Sequence, residues 1–387
     1  MQFEFATAGR ILFGAGTVRQ AAPAAKEFGR RALLVMGRSP DRVQSLAKAL
    51  NGASVSCTLF PVESEPTVEM IARGLEAARR EECDFVVSFG GGSVIDAGKA
   101  IAALLTNPGE LMDYLEVIGR GQPLRAASAP FIAIPTTAGT GSEVTRNAVL
   151  ASHEHRVKVS LRSPQMLPRL AIVDPELTFS LPPTATARSG CDALSQLIEP
   201  YVSSRANPLT DGYCLEGLRR VGRSLRRAYH HGDDAPARTD MSLAALLGGL
   251  SLANAGLGIV HGFAGPIGGM FDAPHGALCA ALLPFGMQAN LRALRARNPQ
   301  SEALSRYRVI AGILTGKPDA HPEDGVEWVR DLCCELQTPS LASYGVSLTD
   351  VPVLVEKAAR ASSTRGNPIE LTPEEMSAML VEAMGNC

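Results

Sequence analysis

The sequence predicts an α/β N-terminal domain built on a mostly parallel sheet, followed by an all-helical C-terminal domain. Two observations predict it. In the first half, short continuous apolar runs alternate with segments whose apolar residues recur at helical spacing. Uninterrupted apolar strands separated by helices mark a parallel sheet covered on both faces. Beyond Leu181-Pro182-Pro183 the strand signals stop and long helical patterns follow one another. The change of texture puts a boundary within 178–184 and two domains at 1–180 and 181–387.

The elements follow in order. Arg31–Met36 is a short apolar run ending in Gly37-Arg38-Ser39-Pro40, a buried strand entering a loop. Asp41–Leu50 is helical in pattern, Ser54–Phe60 is the next strand, and Val68–Glu81 is again helical. Asp84–Phe89 and Pro130–Pro135 are further buried strands, with a helix over Ser93–Leu105. The second half reads as helices over 187–202, 208–229, 239–253, 275–291, 302–314, 326–336, 351–361 and 372–384. From Met241 to Met270 there is no Asp, Glu, Lys or Arg, but the segment holds Asn254 and His261, and Gly256-Leu257-Gly258 and Pro266 would break a membrane-spanning helix. That segment is expected to be a buried helix followed by a glycine-rich turn.

Bulk composition narrows the function classes. At 387 residues the chain is long enough for two domains, and 45% hydrophobic with 20% charged residues is ordinary for a globular protein. A net charge of −2 and 5% aromatics argue against a nucleic-acid surface, which needs a concentrated basic field. The eight cysteines, at 57, 83, 191, 214, 279, 333, 334 and 387, contain no CxxC pair and read as buried reduced thiols of a cytoplasmic protein. The N-terminus carries an early acid and no apolar stretch of the signal-peptide kind.

Three segments carry chemistry. Phe89-Gly90-Gly91-Gly92-Ser93 ends a strand and opens a helix that runs through Asp96. Glycines there let the backbone approach an anion, and the helix start offers unpaired N–H groups and a positive dipole end. Pro135-Thr136-Thr137-Ala138-Gly139-Thr140-Gly141-Ser142 follows another apolar strand and suits a loop wrapping a polar ligand. Open α/β sheets bind ligands at such strand ends. Downstream, Asp192 and Gln196 share a helix face, and His261 and His275 lie among glycine and apolar residues, where burial and metal ligation are both expected. His153, His155, His230, His231 and His321 sit in polar surroundings and read as ordinary surface or core residues.

Taken together, these segments resemble the iron-dependent (group III) alcohol dehydrogenase family. The resemblance rests on Ile11–Gly16, Gly90–Lys99, Ile134–Thr145, Val173-Asp174-Pro175, Asp192-Ala193-Leu194, Val260-His261-Gly262 and Pro274-His275-Gly276, in the family's order along the whole chain. It implies a dehydroquinate synthase-like architecture, with a dinucleotide-binding N-terminal domain and a helical metal and substrate domain. It also implies NAD(P)-dependent hydride transfer on a small alcohol or aldehyde, assisted by a divalent metal such as Fe or Zn, and a homodimer or larger homo-oligomer with neither nucleic-acid nor membrane partners.

By the resemblance, Gly91, Gly92, Ser93 and Asp96 belong to the pyrophosphate side of the cofactor. Thr136, Thr137, Thr140 and Ser142 belong to the nicotinamide side, and Lys158 reaches the ribose. An acid often follows the first long strand in NAD-using members. Here that place is held by Gly37, Arg38 and Ser39, which favours NADP over NAD because a guanidinium can meet a 2′-phosphate. The catalytic and metal set implied is Asp192, His261 and His275, with Gln196 standing where the family has its third histidine. A carboxamide oxygen is a weaker ligand than imidazole for iron or zinc, so a weakly bound metal is expected. A further family histidine, four residues after His261, is Gly265 here, which leaves no side-chain base and calls for a solvent or ribose-hydroxyl relay. Two rival readings are a metal-free reductase of the maleylacetate type and a dehydroquinate synthase-like lyase; the few Lys and Arg in the second-domain motifs count against the lyase. A non-catalytic nucleotide-binding protein is a third.

Overall fold

The computed structural model describes residues 2–385. The chain divides into two compact units. The first takes Ala6–Thr137 and Gly141–Thr178, and the second takes the chain from Phe179 onward together with Ala138–Thr140 and a short N-terminal segment.

The first unit is an α/β sandwich. Its strands are β1 (Ile11–Phe13), β2 (Arg31–Met36), β3 (Ser56–Pro61), β4 (Phe85–Gly90), β5 (Phe131–Pro135) and β8 (Leu170–Val173). They form one six-stranded sheet in the order β1-β8-β5-β4-β2-β3, with every pairing parallel. The remaining strands, β6 (Asn147–Ser152) and β7 (Val157–Arg162), form an antiparallel hairpin that the sequence reading passed over. The helices are α1 (Ala21–Ala25), α2 (Pro40–Gly52), α3 (Val68–Arg80), α4 (Gly92–Thr106) and α5 (Leu111–Tyr114).

Alternation along the strands feeds two cores. Leu33, Val35, Val86 and Ala133 face Ile71 of α3 with Ile95 and Ile101 of α4. Leu34, Phe85, Val87, Ile132 and Ile172 face Val43, Leu46 and Leu50 of α2. Both faces are thus buried along β2, β4, β5 and β8, which is why those strands are unbroken apolar runs rather than alternating ones, while edge strand β3 is partly exposed.

Strand order fixes where a ligand can bind. The chain runs outward from β2 to β3, then returns to place β4 on the other side of β2. The carboxyl ends of β2 and β4 therefore flank the topological switch point, where open α/β sheets hold their ligands. Met36 pairs with Phe89 across that junction, so the loops starting at Gly37 and Gly91 leave the sheet side by side.

The second unit is helical: α6 (Pro183–Val202), α7 (Pro208–His230), α8 (Ala235–Ala255), α9 (Ile259–Met270), α10 (His275–Arg297), α11 (Glu302–Thr315), α12 (Pro322–Glu335), α13 (Val351–Arg360) and α14 (Pro373–Glu382). One expectation is corrected here. Residues 259–270 are a helix and not a glycine-rich turn, and it meets α8 at 98°. Glycine and Pro266 lower its intrinsic propensity, but Ile259 to Ala264 are all buried, and packing overrides propensity. α10 is long and apolar enough to cross a membrane, yet 78% of its apolar window is buried inside the protein, as befits a core helix. The seven cysteines among the described residues are free thiols, and Cys387 lies outside the described residues.

One buried acid of the first unit gives a stability test. Glu143 is fully enclosed, and burial pushes its carboxyl up to about 7, against the opposing pull of its own backbone N–H and of Lys99. A carboxyl whose folded pKa is raised stabilises the fold below its unfolded pKa and loses that contribution as pH rises through the folded value. Glu143→Gln is therefore expected to be more resistant to urea than the parent near pH 8, by about 3 kcal/mol, with the difference closing towards about pH 4. A pH-independent difference between the two proteins would show that Glu143 titrates alike in the folded and unfolded chains.

Candidate active site

The nucleotide loop begins where β4 stops. Gly91 is the N-cap of α4, so Ser93 lies in the helix's first turn and is not the cap itself. Val94 and Ile95 donate to Gly91 O at 3.0 and 3.1 Å, and the N–H groups of Gly92 and Ser93 precede the first intrahelical bonds. Gly90 must be glycine: a Cβ there would lie 2.5 Å from Val94 Cγ2. Next to it, Thr136 N–H donates to Gly90 O at 2.9 Å, which seats the start of the threonine loop against the glycine turn. Thr137 follows at once, its Cγ2 3.3 Å from where a Gly91 Cβ would stand. Thr140 belongs with the helical unit.

Asp96 and Ser142 are joined to each other. Ser142 Oγ donates to Asp96, whose other oxygen accepts from Val149 N–H at 2.9 Å. Buried Lys99 pairs with Asp96 at 3.3 Å and donates to Ser142 O at 3.0 Å. This network pins the threonine loop and β6 to α4. Lys158, on β7, pairs with Glu65 at 3.4 Å. After β2, Gly37 has no atom within 4 Å of a would-be Cβ, and Arg38 donates through Nε to Glu63 O. Ser39 is the N-cap of α2 with no side-chain cap bond.

In the helical unit, Asp192, His261, His275 and Cys279 present ligand atoms that all lie within 4.8 Å of one another. Asp192 comes from the middle of α6, where every residue from Gly190 to Val202 is buried. His261 stands in the first turn of α9, and His275 opens α10, with Cys279 one turn on. Gly276 lets α10 approach α6, since a Cβ there would sit 2.3 Å from Arg188 O. His261 Nε2 lies 3.4 Å from Asp192 Oδ1, and His275 Nε2 lies 3.8 Å from the same oxygen.

Two residues outside the expected set complete the site. Glu199, one helix turn past Gln196 on α6, takes His261 Nδ1 at 2.6 Å and Val260 N–H at 2.7 Å. It fixes both the ring of His261 and the start of α9. Its signal was available, because Asp192, Gln196 and Glu199 share one helix face. Cys279 is the other, and its signal was the helical His275-x-x-x-Cys279 spacing. Gln196 turns its Nε2 to Asp192 Oδ1 at 2.9 Å, and its Oε1 is buried with no hydrogen-bond partner. Thus the donor end of the carboxamide faces the cluster's carboxylate, contrary to its expected use as an oxygen ligand.

The electrostatics call for a cation. Burial alone would keep His261 neutral, but Cys279, Glu199 and Asp192 raise its pKa well above the usual imidazole value. His275 is raised in the same way against burial, by Cys279 and Asp192. Burial would raise the Cys279 thiol, but the two imidazoles bring it below its ordinary value. Asp192 is likewise held below the carboxylate range despite burial, by His261 and His275. With Nδ1–H given to Glu199, a neutral His261 would aim its Nε2 lone pair at a carboxylate oxygen. A proton or a metal ion between them removes that repulsion. The carboxylate–histidine pairing behind His261 is the outer-shell arrangement that orients metal-binding imidazoles. The residues therefore fit a divalent metal.

Comparison with known proteins gives the same result from a different direction. Residues 8–175 match the family described as iron-containing alcohol dehydrogenase, and residues 186–384 match its C-terminal part. Alcohol dehydrogenase 4 of Schizosaccharomyces pombe is 36% identical over 382 residues, covering 96% of this chain and 87% of the relative. A 1,3-propanediol dehydrogenase of Klebsiella pneumoniae is 35% identical and covered to 92% on both sides. The crystal structure of a 1,3-propanediol oxidoreductase superposes with a TM-score of 0.91 at 32% identity, over 99% of this chain and 100% of that one. The chain belongs to the iron-containing alcohol dehydrogenase family.

Proposed function

We infer that this protein is an NAD(P)-dependent alcohol dehydrogenase that interconverts a small alcohol and its aldehyde. The observation that carries the reading is the cluster of buried Asp192 and His261 with half-buried His275, braced by Glu199, in a chain whose other unit carries a glycine turn at the switch point of a parallel sheet. Family members bind NAD(P) and a divalent metal. A divalent cation held by this set supplies a Lewis acid for the substrate oxygen. The nicotinamide supplies or accepts the hydride.

The remaining work falls to the chain's own residues. Gly91, Gly92 and Ser93 offer backbone N–H groups and a helix dipole to the pyrophosphate. Thr136, Thr137 and Thr140 offer hydroxyls to the nicotinamide side, while Asp96 and Ser142 hold that loop in place. Glu199 keeps the Nδ1 proton of His261, so that Nε2 faces inward. Gly265 has no atom within 4 Å of where a Cβ would stand and no side chain to take a proton. The alcohol proton therefore leaves through solvent or the cofactor ribose.

NADP(H) is our preferred coenzyme, because Gly37 and Arg38 stand where an acid would accept ribose hydroxyls. Aldehyde reduction by the metal-loaded enzyme, followed by nicotinamide absorbance with each coenzyme, tests both statements. Turnover of a short aliphatic aldehyde with a higher kcat/KM for NADPH is the expected result. Gly37→Asp has room for its side chain and should move the NADPH/NADH ratio towards NADH about tenfold, or ~1.4 kcal/mol. No turnover across an aldehyde panel with either coenzyme would sink the activity. A parent enzyme that prefers NADH would sink only the coenzyme assignment.

A further inference from the structure

We propose that Cys279 supplies the fourth ligand of the metal site, so that the donor set is one carboxylate oxygen, two imidazole nitrogens and one thiolate sulfur. The proposal rests on the reading that Asp192, His261 and His275 hold a divalent metal, and it assigns the position that Gln196 leaves open. The distances support it. A tetrahedral ion with ordinary zinc bond lengths puts its O and N ligands about 3.4 Å apart and its S and N ligands about 3.6 Å apart. Here Asp192 Oδ1 lies 3.4 and 3.8 Å from the two Nε2 atoms, and Cys279 Sγ lies 3.7 Å from His261 Nε2 and 3.6 Å from His275 Nε2. Four of the six edges thus come within about 0.4 Å of a coordination tetrahedron, and the other two are no longer than 4.8 Å.

Local structure explains how the cysteine gets there. His275 and Cys279 are four apart on α10 and therefore point to one side of it. Gln196, the alternative, has committed its Nε2 to Asp192 and so acts as a positioning residue for that carboxylate. Metal capture forms the metal–sulfur bond and breaks the S–H bond, and the thiol proton leaves to solvent. A thiolate in the set shifts preference towards softer ions and favours zinc over magnesium or manganese.

The test uses Co(II), whose spectrum reports sulfur ligation independently of activity. The full-length protein is stripped of metal, reduced, and titrated anaerobically with Co(II). The expected result is one Co(II) per chain with a sulfur-to-metal charge-transfer band that survives Cys334→Ser, the exposed thiol, and disappears in Cys279→Ser. Cys279→Ser should still bind Co(II), about tenfold more weakly, and release one proton fewer on binding. Stoichiometric Co(II) without the band in the parent, or a band that persists in Cys279→Ser, overturns the cysteine ligand and leaves the three-ligand site standing. No Co(II) uptake by the parent overturns the metal reading and the cysteine ligand with it. Because the parent spectrum decides the matter, a Cys279→Ser protein that failed to fold would not rescue the proposal.

Discussion

Asp192→Ala should lose its metal on dialysis and lower turnover by about 10³-fold or more. The size follows from what the carboxylate does. It is the one oxygen donor among the four clustered ligand atoms, it is 2% exposed, and both imidazole Nε2 atoms face its Oδ1. Without it, two neutral imidazoles and the Cys279 sulfur must hold a dication with no carboxylate among them. Lewis-acid stabilisation of the substrate oxygen is worth several kcal/mol, and about 4 kcal/mol is a factor of about 10³ in rate. Gln196 Nε2 loses its acceptor as well, so some stability is lost alongside activity. Asp192→Asn keeps the shape and separates the effects: it should fold like the parent and still retain little metal. Metal content by elemental analysis and kcat on one aldehyde are the two measurements. Full metal occupancy and parental turnover in either variant would remove Asp192 from the site.

The second large effect is expected one layer further out. Glu199→Gln should weaken metal affinity about 10- to 100-fold, the range seen when partners of ligating histidines are removed. The carboxylate now accepts from two donors at once, His261 Nδ1 and Val260 N–H. A carboxamide has one acceptor oxygen, so its NH₂ must face one of those donors. Either the imidazole turns or the first turn of α9 shifts. Competition against a chelator measures the affinity, and coenzyme KM should stay at the parental value because the nucleotide loop lies in the other unit. Parental metal affinity in a folded Glu199→Gln protein would reduce Glu199 to a helix cap.

Much of this was legible in the amino-acid sequence, and the parts that were not have physical reasons. Four of the six parallel strands, β2 to β5, were legible as short runs bounded by turn residues, whereas β1 and β8, only three and four residues long, were passed over. Asp192, His261 and His275 stood out as polar residues in apolar surroundings, and the structure gathers their ligand atoms within 4.8 Å together with Cys279. Residues 259–270 read as a turn because Gly262, Gly265 and Pro266 weaken any local helix signal, and only their burial makes α9 a helix. Cys279 was passed over despite standing one helix turn from His275, because a thiol in a core helix is ordinarily just packing. Its meaning depends on α10 approaching α6 and α9, which no local pattern states. Glu199 shares a helix face with Asp192 and Gln196, but its partners are 61 and 62 residues away, so its role as their acceptor shows only in the fold.

The start of α9 has a consequence for how the molecule comes into being. Its first two N–H groups are received by Asn367 Oδ1, 108 residues distant, and by Glu199. A helix anchored at its beginning by partners so remote, and poor in intrinsic propensity, cannot form until those segments have arrived. His261 rides on that first turn. The nascent chain therefore has no competent chelate until late in folding, and an ion meeting it earlier would find only scattered side chains. Metal acts as a ligand of the finished state, drawing the equilibrium towards it in proportion to its concentration over its dissociation constant.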